Sequence, residues 1–226
     1  MAPSAIPCPD FTFTSHPSVS PFTVPYQTYI AGQPTPPGGL NYHYVAVGAH
    51  VFSRSPRPTA TNQTTDNDRD DRTAGDDLRV LLVQRAAHDS APLRWEIPGG
   101  ACDLEDPSIL HSVARELWEE AGLVATSIGP LVGQGHFFLS RSGKSICKFE
   151  FLVEVEGGDG SPAGVLQVRL DPNEHANYVW ATEEECREGR AKRENIELVF
   201  TTRQQKETLL EGFKIRKELD ATKIVT

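Results

Sequence analysis

Glu116, Glu119 and Glu120 stand at i, i+3 and i+4 in the run Arg115-Glu116-Leu117-Trp118-Glu119-Glu120-Ala121-Gly122-Leu123. A helix puts all three carboxylates on one face. Like charges at that spacing repel by roughly 0.2–0.5 kcal/mol per exposed pair. A cluster of hard oxygen ligands becomes favourable around Mg2+ or Mn2+. A Glu-rich helix face is also commonly a solvated surface, so the context decides. Trp95-Glu96-Ile97-Pro98-Gly99-Gly100 precedes the run, and Glu105-Asp106-Pro107 leads into it.

These carboxylates need a helix and a sheet to hold them. The pattern predicts a helix from about Pro107 to Ala121, with Gly122 as its left-handed C-cap. Leu110, Val113, Leu117 and Ala121 form an apolar stripe beside the acidic face. Strands are expected at 42–52, 78–84, 95–97, 128–139, 145–155, 165–170 and 178–180. Phe137 and Phe138 are candidates for ring stacking, but alternation in 128–139 favours at least one of them in the interior. Thr182 with Glu185, and Thr202 with Gln205, read as capping boxes. The second opens a helix near 203–219, with Leu209, Leu210 and Phe213 buried.

Residues 1–39 form a Pro-rich N-terminal extension whose aromatic residues imply that part of it packs, and residues 40–226 form the domain. Within that domain, residues 53–77 read as an acidic, solvated hairpin loop. Its D-x-D spacing is similar to a calcium loop but lacks the central Gly and the terminal Glu.

Net charge is −9, from 31 acidic and 22 basic residues. That disfavours a broad nucleic-acid interface. No run of about 18 apolar residues predicts a membrane span, and the start shows no secretory pattern, so a cytoplasmic location is expected. Cys8, Cys102, Cys147 and Cys186 are scattered, which argues for free thiols over a zinc site or a disulfide framework. Cys102 reads as loop packing.

The segment from Pro98-Gly99-Gly100 to Leu123 resembles the Nudix box, G-x5-E-x7-R-E-U-x-E-E-x-G-U with U aliphatic. Its second half matches at every defined position. In the first half, fourteen residues separate Gly100 from Arg115, one more than the pattern has. Either Glu105 or Asp106 takes the first acidic position. Glu105 is favoured, because Asp106-Pro107 reads as an N-cap with proline at the first helical position.

The resemblance implies an α+β fold, a Nudix-type α/β/α sandwich with a mixed β-sheet and a C-terminal helix. It implies hydrolysis of a diphosphate linkage in a nucleoside diphosphate derivative or related organic diphosphate, by water attack at phosphorus. The cofactor would be Mg2+ or Mn2+, bound by the Gly100 carbonyl, Glu116, Glu119 and Glu120. Glu116 or Glu120 would take the proton from water, and Arg115 would orient a neighbouring carboxylate. The segment Asp171 to Trp180 is similar to the family's late segment in which an acid faces the metal, so Glu174 is a further ligand or base. His175 is expected to be structural or on the surface. Gly99 and Gly100 would allow close backbone approach to substrate, and Arg85, at a strand end, would meet a phosphate. Trp95 and Glu96, before the turn, are candidates to line the pocket, with the core the favoured place for Trp95. The partner would be a small-molecule diphosphate, and a homodimer is left open. The alternatives are a non-catalytic binding module, a hydrolase of prenyl diphosphates, and an isoprenoid diphosphate isomerase, for which no cysteine has a recognisable partner motif.

Overall fold

The computed structural model describes residues 9–34, 42–55, 77–140, 142–158 and 166–224. A seven-stranded sheet runs in the order β1 (Thr14–Ser15), β5 (Ala125–Leu139), β6 (Ser145–Val155), β2 (Tyr44–Ser55), β3 (Asp77–Arg85), β4 (Trp95–Glu96), with β7 (His175–Thr182) also on β3. β1–β5 and β2–β6 pair in parallel and the other pairs are antiparallel, so the sheet is mixed.

Strand alternation separates two apolar layers. Val45, Val47, Ala49 and Val51 of β2 pack with Ile109, Leu110, Val113 and Leu117 of α2 (Ile109–Ala121). Phe52, Val80 and Leu82 face the other way, onto Leu209 and Phe213 of α4 (Arg203–Ile224). The result is the expected three-layer arrangement with a C-terminal helix. Trp95 is fully buried on the α4 side. Leu210 is only partly buried.

The helix carrying the acids starts later than the sequence suggests. Ser108, not Asp106, is its N-cap: its backbone is extended and its hydroxyl accepts the His111 amide. Gly122 closes α2 with φ of 67° and donates to the Trp118 carbonyl. The expected strand at 165–170 is absent over Leu166–Leu170. There the chain crosses the end of α2, where the Arg169 amide satisfies the Ala121 carbonyl. Thr182 and Glu185 do form a reciprocal capping box, opening α3 (Glu183–Glu188).

β2 and β3 extend into the ends of the acidic segment, where Ser55 pairs with Asp77. Residues 56–76, with the calcium-loop-like spacing, lie outside the described residues. Of the Pro-rich segment, Val19, Phe22 and Tyr26, the last opening the short helix α1 (Tyr26–Ala31), are buried in the α2-side core. The Phe22 ring meets those of Phe149 and Phe151 edge-on at 5.0 and 5.1 Å. Neither Phe137 nor Phe138 is interior: they are 48% and 40% exposed. Among the described residues no helix is long and apolar enough to cross a membrane.

Candidate active site

Residues 98–102 run along the edge of β2 opposite β6. Ala49 donates to the Pro98 carbonyl, Val47 to that of Gly100, and Cys102 to that of Val45. Gly99 has φ of +152°, and a side chain there would overlap the Val47 carbonyl oxygen. Gly99 thus brings its amide to Glu120, donating to Oε2 at 2.6 Å. A Cβ on Gly100 would lie 2.5 Å from Glu116 Oε2. The two glycines therefore let one turn of backbone press against two buried carboxylates.

The three helix acids do not share one environment. Glu116 and Glu120 are buried, whereas the Glu119 side chain is 45% exposed. Arg115 reaches across all of this. Its Nη1 donates to Glu116 at 2.9 Å and Glu119 at 2.8 Å, its Nη2 to the Ala101 carbonyl at 2.9 Å, and its Nε and Nη2 to Asp106 at 3.0 and 2.9 Å. The orienting role expected of Arg115 matches this fork geometry. The acid it grips is Asp106, not Glu105. Asp106 also accepts from the Asp103 amide and the Ser112 hydroxyl, and it is buried. Burial alone would raise its pKa, but Arg115, Ser112 and the Asp103 amide outweigh it and hold the pKa below the ordinary value.

Glu116 and Glu120 are pushed the opposite way. Burial raises Glu116 to about 7; Glu119 and Glu174 add to this, and Arg115 opposes it. Burial, then Glu116, raises Glu120 well above the ordinary value, against the Gly99 hydrogen bond. Burial likewise raises Glu174. Carboxylates kept this close at the expense of their own ionisation suit a site completed by a cation.

Ligand-capable atoms of Glu120, Glu174 and His175 lie within 4.8 Å of one another. His175 is buried at the start of β7, its Nε2 4.0 Å from Glu120, and its Nδ1 has no partner. Burial, reinforced by Arg85, lowers its pKa to about 4, so the ring is neutral at pH 7 and free to ligate. Of the structural or surface placement expected for His175, burial overturns the surface one. A divalent cation fits this donor set of oxygens and one imidazole. Glu116 adjoins the group through Gly100, and Glu119 lies at its rim.

Arg85 is held beside the acids, but not free. Its Nε and Nη2 donate to Asp89 at 2.8 and 2.7 Å, and its Nη1 to Glu96. Glu96, a candidate to line the pocket from its place before the turn, is buried beside Glu120 and contributes to the raised pKa there. Cys102 is a buried free thiol, its pKa pushed up to about 12 by burial.

The profile of the NUDIX domain matches residues 69–201, more than half of the chain. The chain belongs to the Nudix family. One solved structure supports the fold, and two more are similar to the chain. A MutT protein from Methanosarcina mazei Go1 is 19% identical with a TM-score of 0.50, over 79% of this chain and 99% of that one. A MutT NUDIX hydrolase from Burkholderia pseudomallei is 18% identical with a TM-score of 0.46, over 74% and 96%. The NUDIX domain of Shewanella oneidensis NrtR, solved with ADP ribose, is 20% identical with a TM-score of 0.44, over 84% and 97%. No curated protein matches the chain. The Nudix hydrolase fold is one that supports cleavage of diphosphate linkages in general.

Proposed function

We propose that this Nudix protein hydrolyses a diphosphate linkage in a nucleoside diphosphate derivative or related organic diphosphate, with Mg2+ or Mn2+, by water attack at phosphorus. The observation that carries the reading is the convergence of Glu116, Glu120, Glu174 and His175 on the Gly99–Gly100 turn. A divalent cation bound there would neutralise the diphosphate and acidify the attacking water. Glu120, Glu174 and His175 are the residues to hold it, with Glu116, the Gly100 carbonyl and Glu119 beside them. The proton from water goes to one of Glu116, Glu120 and Glu174. Arg115 fixes the Glu116 and Glu119 carboxylates and closes the 101–106 loop over them. Gly99 and Gly100 leave room for substrate to approach the backbone. The buried free thiols Cys102, Cys147 and Cys186 suit a reducing, cytoplasmic setting.

The test is product release from a panel of nucleoside triphosphates, nucleotide sugars, dinucleoside polyphosphates and prenyl diphosphates, with Mg2+ and with a chelator. Glu120→Gln keeps the side chain's shape and removes its charge. It should lower kcat on the order of 10²-fold or more while the fold is retained. Binding with no turnover under any divalent cation would replace this reading with a non-catalytic binding module.

A further inference from the structure

Arg85 and Arg115 both stand beside the acid cluster, and they meet it differently. Each lays the side-on edge of its guanidinium, Nε and Nη2, on an aspartate outside the metal-facing set: Arg115 on Asp106, and Arg85 on Asp89. The two part at Nη1. Arg115 Nη1 donates to Glu116 and Glu119, whereas Arg85 Nη1 is taken by Glu96. Among the described residues, Arg85 donates no side-chain hydrogen bond to Glu120, Glu174 or His175.

Arg85 is nonetheless at that group. It pairs with His175 across β3 and β7, and the next residue, Ala86, donates its amide to the Glu174 carbonyl at 2.8 Å. Its charge acts on both side chains. It adds to the burial that lowers the His175 pKa and opposes the burial that raises that of Glu174. A guanidinium in this place is a natural competitor of a divalent cation, because its planar fork matches a carboxylate and its charge is permanent. Arg115 shows the outcome where Nη1 has no other acid: it settles on two carboxylates of α2.

Asp89 closes that route for Arg85. It lies in the loop between β3 and β4, and its Oδ1 accepts Arg85 Nε at 2.8 Å, Arg85 Nη2 at 2.7 Å and the Ala91 amide at 3.0 Å. Burial would raise its pKa, but the Ala91 amide and Arg85 outweigh this and hold it at about 2, so Asp89 is charged at neutral pH. The backbone pins the same residue: the Arg85 amide donates to the Arg94 carbonyl at 2.9 Å, and its carbonyl accepts the Leu93 amide at 3.1 Å. One arginine held between two carboxylates, Asp89 and Glu96, brings no net positive charge to the cluster.

We propose, on the divalent-cation reading of this site, that Asp89 is a positioning residue for the metal centre: by gripping the side-on edge of Arg85 it keeps that arginine from pairing with Glu120 and Glu174, and so leaves their carboxylates to the cation. Without the Asp89 charge, the Nε–Nη2 edge turns to these two acids and competes for them.

The experiment measures Mn2+ affinity of the full chain by calorimetry for wild type, Asp89→Asn, Arg85→Gln and the double variant, with far-ultraviolet circular dichroism to establish that each is folded. Asp89→Asn removes the charge and keeps an oxygen for the Ala91 amide. It should weaken Mn2+ binding about 10-fold, the scale of loss when groups that orient metal ligands are removed. In the Arg85→Gln background the same substitution should change affinity by less than about 2-fold, because no arginine is left to redirect. Asp89→Ser, whose hydroxyl also accepts a nearby amide, should reproduce both results. Equal Mn2+ affinity in wild type and Asp89→Asn would overturn the proposal. An equal loss in both backgrounds would overturn it too, since Asp89 would then shape the loop and not restrain Arg85. No saturable binding by wild type would overturn the cation reading itself, and this proposal with it.

Discussion

At the residue scale, one position of a loop separates two carboxylates with different fates. Asp106 accepts from Arg115, Ser112 and the Asp103 amide, whereas Glu105 is exposed. Spacing favours Asp106, and the proline after it is what pointed to Glu105 instead. Asp106 keeps the five-residue interval from Gly100, and the extra residue falls between it and Arg115. Asp106→Asn should therefore lower stability on the order of 2 kcal/mol, because it takes from a mostly buried guanidinium the one charged partner that it grips with two nitrogens. Glu105→Gln should stay within about 0.5 kcal/mol of wild type. Urea unfolding of both variants checks this, and equal losses would show the assignment to be wrong. His175 was illegible for a related reason. Its burial comes from pairing with Arg85 across β3 and β7, a contact between residues 90 positions apart in sequence. A short sequence window carries no such information.

At the scale of elements, what depends on near neighbours was legible. The acidic and apolar faces of α2, its glycine stop, the capping box of α3 and the bounds of β6 all follow from residues within a few positions. The missing strand at 166–170 depends instead on which partner edge is free, and there the chain meets a helix end. The acidic face of α2 also sets how stability responds to pH. Glu116 has a folded pKa near 7 against an ordinary 4.5, so the folded chain holds its proton longer than the unfolded one. That favours the fold at low pH, and the advantage is lost as pH rises through about 7. His175, lowered from 6.5 to about 4, works in the opposite direction: its contribution is present above 6.5 and lost as pH falls through 4. The two oppose each other between about 4.5 and 6.5. Above 6.5 only the glutamate effect continues, with Glu120 adding to it. Metal-free protein should lose on the order of 1 kcal/mol between pH 6.5 and 8. Mg2+ should restore more stability at pH 8 than at pH 6.5, because its ligands are then already deprotonated. Urea midpoints at the two pH values, with and without Mg2+, test this. A flat profile in chelator would count against the buried, mutually repelling carboxylates.

At the scale of the whole molecule, the Pro-rich segment and the sheet share one core. Its composition suggested an extension, and its aromatic residues suggested contact. Val19, Phe22 and Tyr26 are buried against the same layer as α2. Burial of such side chains is worth about 1.5–3 kcal/mol each for the aliphatic and phenyl groups. A chain lacking residues 1–39 should therefore lose on the order of 5 kcal/mol, enough to leave a marginal domain largely unfolded. Thermal unfolding of the truncated chain reads this directly, and a melting temperature within a few degrees of full length would contradict it. The three-layer outline was legible because strand alternation, the amphipathic α2 and the apolar residues Leu209 and Phe213 of α4 suffice to build it. The site was legible in part, because its helix acids sit on one short periodic element, while Glu96, Asp106 and His175 reach it from loops and strand ends.

The account turns on whether these carboxylates bind a divalent cation. Calorimetric titration with Mn2+ of wild type, Glu120→Gln and Glu174→Gln asks this without any assumption about substrate. Saturable binding by wild type, weakened at least about 10-fold in Glu120→Gln and also weakened in Glu174→Gln, is the predicted result. Equal Mn2+ affinity in all three proteins, or no saturable binding by wild type at neutral pH, would contradict it.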